Sequence, residues 1–109
     1  MRVELLWWEG CPSHPEALTE LRDVLREEGH DPDGVVRREV TSDEQAARER
    51  FPGSPTIRID GRDAVAMPEG TPFSLTCRVY RLRDGRASPV PDSDDLRAAI
   101  RRAQTKEDA

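Results

Sequence analysis

The chain has little of what usually ties down or anchors a small protein. It carries only two cysteines in 109 residues, Cys11 and Cys77, so no disulfide framework can stand in for a hydrophobic core. With two histidines as well, His14 and His30, its Cys and His residues are too few and too dispersed for a closed structural zinc site. Lysine is nearly absent: of 17 basic residues all but Lys106 are arginine, and 22 acidic residues leave a net charge of -5. That balance argues against a nucleic-acid footprint. No apolar stretch approaches the roughly 18 residues that a membrane span needs. The short apolar run near the start, Val3 to Trp8, lacks the basic flank of a signal peptide. The expectation is a cytoplasmic chain that binds neither membrane nor nucleic acid and calls for no cofactor.

With 35% hydrophobic and 36% charged residues, the apolar side chains must be used economically, in one modest core. One domain is expected over 1–103, with a frayed tail over 104–109. Arg2–Trp8 reads as a strand covered on both faces, because its apolar residues are nearly continuous. Trp7 and Trp8 then fall on opposite faces. Ala17, Leu18, Leu21, Val24 and Leu25 recur at helical steps among charges, predicting an amphipathic helix over Pro15–Glu28 that Gly29 ends. Its start has two solutions: Cys11 as cap with Pro12 first in the helix, or a Ser13/Glu16 capping box.

Asp31–Gly34 is a turn, and Val35–Val40 a strand with Val36 and Val40 on one face. Thr41 and Glu44 are spaced to cap a short helix over Asp43–Arg50. The breakers Pro52-Gly53-Ser54-Pro55 lead into the alternating strand Thr56–Asp60. A polar loop over 62–75, a strand over Cys77–Leu82 and a helix carrying Leu96, Ala99, Ile100 and Ala103, capped by Asp92 or Ser93, complete the order β-α-β-α-β-β-α. The fold class is α/β. Right-handed crossovers predict a four-stranded mixed sheet, its first three strands mostly parallel and its last pair an antiparallel edge.

The chemistry concentrates where the first strand gives way to the first helix. Cys11 sits in that bend, where unpaired backbone N–H groups and the helix dipole favour negative charge. A thiolate is the reactive form of cysteine, and such a position lowers its pKa. Gly10 and Pro12 bend the chain and argue that the thiol is accessible. His14 lies one turn on, either pairing with the thiolate or standing as an exposed first-turn residue. Cys77 has two readings as well. It resolves an oxidised Cys11, or shares a soft metal ion with it, if the 62–75 loop folds back. It is a buried strand cysteine at the far end of the sheet if the last strands form a simple hairpin.

The element order, the Cys11-x-x-x-helix start and Gly53-Ser54-Pro55-Thr56 opening a strand resemble the thioredoxin superfamily, from Arg2 to about Ala103. More narrowly, Gly10-Cys11-Pro12-Ser13-His14-Pro15, Gly53–Thr56 and Cys77-Arg78-Val79-Tyr80 are similar to short bacterial proteins described as thioredoxin-family or alkylmercury-lyase-like. The resemblance implies a three-layer sandwich with a cis Pro55 facing a nucleophilic Cys11. It also implies that Pro12, Ser54, Pro55 and Trp8 line the substrate groove. The chain departs from the family's Cys-x-x-Cys, because His14 stands where the second cysteine would be, so no local dithiol cycle exists there. The expected activity is thiol redox chemistry on a disulfide or oxidised-thiol substrate through Cys11. The alternatives are a soft-metal or organomercurial site using Cys11 and Cys77, and a non-catalytic binding module.

Overall fold

A strand with no polar face must be covered on both sides, and β1 (Val3–Trp7) is. In the computed structural model, which describes residues 1–108, β1 lies inside a four-stranded sheet. The order is β2-β1-β3-β4, with β2 at Val35–Glu39, β3 at Thr56–Ile59 and β4 at Arg62–Asp63. Leu5 points into the larger core, where α1 (His14–Glu27) and α3 (Ser93–Asp108) supply Ala17, Leu21, Leu25, Leu96 and Ile100. Leu6 points the other way, to a smaller cluster with Val40, Phe51 and Ala46 of α2 (Asp43–Arg48). The result is a mixed α/β fold with helices on both faces. Among the described residues no helix is long and apolar enough to cross a membrane.

The direction of the third strand differs from the sequence expectation. β2 runs parallel to β1, from Val3 opposite Val35 to Trp7 opposite Glu39. β3 runs antiparallel to β1, with Leu6 opposite Thr56 and Val3 opposite Ile59. A parallel crossover needs a connection long enough to travel back along the sheet. The 40–55 connection, which includes the short α2, returns the chain to the end where β2 stopped, next to Leu6 and Trp7, so β3 runs back along β1. The last strands differ too. The short β4 pairs with β3 directly after the turn at Asp60–Gly61. The Cys77–Leu82 segment does not join that edge; its Tyr80–Arg81 part (β5) pairs with Ala87–Ser88 (β6) in a separate hairpin.

Local signals place the helices. After α1, Gly29 at φ 80° lets its own N–H reach Arg26 O and the His30 N–H reach Leu25 O, closing the helix end in a Schellman turn. α2 is capped one residue later than its spacing suggests: Ser42 Oγ accepts from the Gln45 N–H at 3.0 Å, and Gln45 Oε1 accepts from the Thr41 N–H at 3.0 Å. Of the two candidates for α3, Asp92 is the cap, its Oδ1 accepting from the Asp94 N–H at 2.9 Å. α3 continues to Asp108, through most of the stretch expected to fray, and Ala109 lies outside the described residues.

One half of the second sheet face carries charge instead of a helix. Glu4, 4% exposed, accepts from Arg38 at 3.0 Å and pairs with Arg2 at 3.5 Å. Arg38 reaches on to Glu49 at 2.7 Å. A carboxylate this deep must be paired to be tolerated. Val36, on the same face and expected inside with Val40, is 44% exposed beside this network.

Between α1 and α3, Glu20 accepts from the Ser93 hydroxyl at 2.6 Å while its Oε2 is buried without a partner. Burial pushes its carboxyl above the ordinary 4.5, outweighing the Ser93 bond, and the nearby Asp92 and Glu16 push the same way. A carboxyl raised on folding stabilises the fold below its unfolded pKa, and that contribution is lost as pH rises through the folded value. Glu20→Gln therefore removes this loss: the variant is expected to melt higher than the parent at neutral pH, with the difference vanishing below about pH 4, as thermal unfolding across pH reports.

Candidate functional site

The bend between β1 and α1 is a tight one. Cys11 N–H donates to Trp8 O at 3.1 Å, and Gly10 lies directly under the Trp8 ring, where an added Cβ would come within 2.3 Å of the indole. Trp8 packs on the smaller core cluster, so the ring and the glycine together set the path of the chain into Cys11. Trp7, on the other side, stacks on His14 with ring centroids 4.3 Å apart.

Of the two predicted starts of α1, the one at Ser13 holds in position but without its capping box. The helix begins at His14, Ser13 is its N-cap, and the Ser13 hydroxyl caps no helical N–H. Pro12 is an exposed residue of the preceding turn and not the first helical position. Ser13 instead serves the cysteine: its backbone N–H and its hydroxyl both favour the Cys11 thiolate.

Cys11 is 1% exposed, against the accessibility expected from Gly10 and Pro12. Its thiol donates to the Ser54 carbonyl at 3.3 Å. Burial pushes this thiol up. The Ser13 N–H, the Cys77 thiol and the hydroxyls of Ser13 and Ser54 outweigh that, and hold it below the ordinary 9.0. The Ser54 hydroxyl is itself oriented, accepting from the Trp8 N–H at 3.0 Å. His14, the other residue expected beside the thiol, stacks on the Trp7 ring.

Cys77 is neither buried nor at the far end of the sheet. It is exposed and forms an isolated parallel bridge with Ser54. The segment leading to it runs back along the breaker stretch in a series of bonds. The Ser74 N–H donates to Phe51 O at 3.1 Å, the Ser54 N–H to Thr76 O at 2.8 Å, and the Arg78 N–H to Ser54 O at 2.8 Å. Two side chains lock this return, and sequence reasoning missed both. Arg78, 2% exposed, donates to Asp63 at 2.8 Å, Val65 O at 2.6 Å and Thr56 Oγ1 at 3.2 Å. Tyr80 donates its hydroxyl to Pro55 O and lies 4.4 Å under the Arg78 guanidinium. An arginine set between the apolar residues of a predicted strand was the available signal for a buried ion pair.

The Ser54–Pro55 peptide bond is cis. Ser54 is fully buried, and both its N–H and its carbonyl are engaged by the 76–78 segment. The Ser54 and Pro55 carbonyls also hold the chain's own return, accepting from the Arg78 N–H and the Tyr80 hydroxyl. What the site brings together is the Cys11–Cys77 pair. Both are free thiols, and both meet Ser54: Cys11 through its thiol and Cys77 through a backbone bridge. Donation to Cys11 is the main reason that the Cys77 thiol is held above 9.0, with burial second. Among the described residues no group of three or more His, Cys, Asp or Glu could hold a metal ion.

Two substitutions test this geometry. Gly53 has φ 146° and lies so close to the return that a Cβ would meet Arg78 backbone atoms at 3.1 Å. Gly53→Ala is expected to cost about 1–3 kcal/mol in chemical denaturation and to uncouple the two thiols. Cys77→Ala removes a donor to Cys11, so the Cys11 thiolate should appear at higher pH than in the parent, read from thiolate ultraviolet absorbance; an unchanged titration would mean that the two thiols do not interact.

Comparison of the chain with protein-family models, with curated proteins and with solved structures gave no match.

Proposed function

We propose that this chain is a thioredoxin-like thiol–disulfide redox protein whose working pair is Cys11 and Cys77, distant in sequence. The observation that supports the reading is that Cys11 and Cys77, distant in sequence, both meet Ser54, Cys11 through its thiol and Cys77 through a backbone bridge. Further support comes from the sheet order β2-β1-β3-β4 with antiparallel β3, helices on both faces, and a cis proline directly after the residue that Cys11 contacts. Of the two thiols, Cys11 is the one that the donors at the helix start favour as a thiolate. Exchange with an external disulfide oxidises both thiols to one internal disulfide and releases two thiols. The substrate is a disulfide or an oxidised thiol.

Soft-metal binding by the same two thiols is the second reading, favoured by their proximity. It is the weaker one, because no third ligand stands with them among the described residues.

Mild oxidation followed by non-reducing mass mapping tests the redox reading. The expected product is a monomer with one Cys11–Cys77 disulfide, reversed by a dithiol reductant, and no internal disulfide forms in Cys11→Ser or in Cys77→Ser. A parent protein that oxidises only between molecules, or not at all, would retire the pair as a redox couple.

A further inference from the structure

Resting on the reading of Cys11 and Cys77 as a redox couple, we infer that the external partner exchanges at Cys77, and that Cys11 is the internal sulfur that leaves and returns.

Access separates the two. Cys11 is 1% exposed, enclosed by the β1–α1 bend and by Ser54, so an external thiol has no path to its sulfur. Cys77 is exposed on the outer side of the same peptide, followed at Val79 by a residue 69% exposed. Exchange needs the attacking sulfur to reach the sulfur that it attacks, and of the two only Cys77 is exposed.

The chemistry of the leaving group runs the same way. Exchange is faster when the departing thiol is the more acidic one. Around Cys11 the Ser13 N–H and the Ser13 and Ser54 hydroxyls favour a sulfur anion, whereas at Cys77 both Cys11 and burial disfavour one. In the oxidised chain, a substrate thiolate RS⁻ attacks Cys77. An R–S–S–Cys77 bond forms, the Cys77–Cys11 bond breaks, and its electron pair leaves on Cys11. A second RS⁻ attacks the R sulfur of this mixed disulfide, releasing RSSR, and Cys77 leaves as a thiolate and takes a proton. Two substrate thiols are oxidised and the internal disulfide is reduced. In the reverse direction Cys11 attacks the Cys77 sulfur of the mixed disulfide and expels RS⁻.

This reverses the order in which the two cysteines would be ranked from the chain, where Cys11 at the helix start is the nucleophile that meets the substrate. The buried thiolate is the resolving group, and the less acidic, exposed thiol is the one that meets the partner. It also defines what the partner can be. Because the Ser54 and Pro55 backbone groups are engaged internally, the partner sulfur must be reachable at an open edge, as in a small thiol or a cysteine on an exposed protein segment.

The test uses the oxidised parent protein. It is mixed with reduced glutathione, stopped with acid after short intervals, alkylated with N-ethylmaleimide and mapped by mass spectrometry. Glutathione should be found on Cys77 and the maleimide on Cys11, with at least about tenfold more mixed disulfide at Cys77 than at Cys11. Glutathione mainly on Cys11 would overturn the assignment while leaving the redox couple intact. Failure of the parent to form the internal disulfide at all would overturn the couple itself, and the assignment with it. In parallel, Cys11→Ser should react with oxidised glutathione faster than Cys77→Ser; the opposite order, with both variants folded by circular dichroism, would also overturn it.

Discussion

The Ser54 peptide unit is the joint on which the site depends. Its N–H and carbonyl hold the 76–78 segment at 2.8 Å on both sides of Cys77, its carbonyl also accepts the Cys11 thiol, and its hydroxyl accepts the Trp8 N–H. Four contacts to one buried residue join the end of β1, the start of β3 and the return of the chain from β4. Backbone groups buried at this depth must be paired. Pairing them with the chain's own segment is what carries Cys77 to Cys11, and Gly53 makes the approach sterically possible.

The rest of the fold supplies a rigid frame for that joint. β1 is clamped by the larger core through Leu5 and by the smaller one through Leu6, both fully buried. The bend after it is constrained by the Trp8 ring resting on Gly10. On the other side of the site, the buried Arg78–Asp63 pair and Tyr80 fasten the return to β4 and to Pro55. Truncating one partner of such a pair leaves an uncompensated charge, which typically costs several kcal/mol, about 3–5. The charged network at Glu4 does a different job, closing the sheet face where α2 is too short to reach.

How much of this was legible in the chain follows from the range of each interaction. The apolar face of α1 and its Gly29 stop depend on residues within one or two turns, and both could be read directly. The cap of α2 was misread by one position because Thr41/Glu44 and Ser42/Gln45 offer overlapping spacings, and only the hydrogen bonds decide between them. Cys11 before a helix was legible as a site for a stabilised thiolate; its burial was not, because the cover comes from Ser54, 43 residues away. The direction of β3 turned on the path of the 40–55 connection, and the position of Cys77 on a return stabilised by Arg78 and Tyr80. Neither leaves a periodic signature, so a simple hairpin looked equally reasonable. Ser13 looked like a cap because capping and thiolate stabilisation ask for the same residue type at almost the same place.

The long separation of the two cysteines has a thermodynamic meaning that an adjacent Cys-x-x-Cys pair lacks. Joining Cys11 to Cys77 closes a loop of 66 positions (77 − 11), which removes about 4 kcal/mol of chain entropy from the unfolded state. A bond across a single helical turn would constrain almost nothing. For the couple proposed above, oxidation state and resistance to unfolding would be linked quantities, the oxidised chain being the harder one to unfold. By the same cycle, folding would raise the effective concentration of one thiol at the other and favour the bond, and reduction would loosen the whole domain.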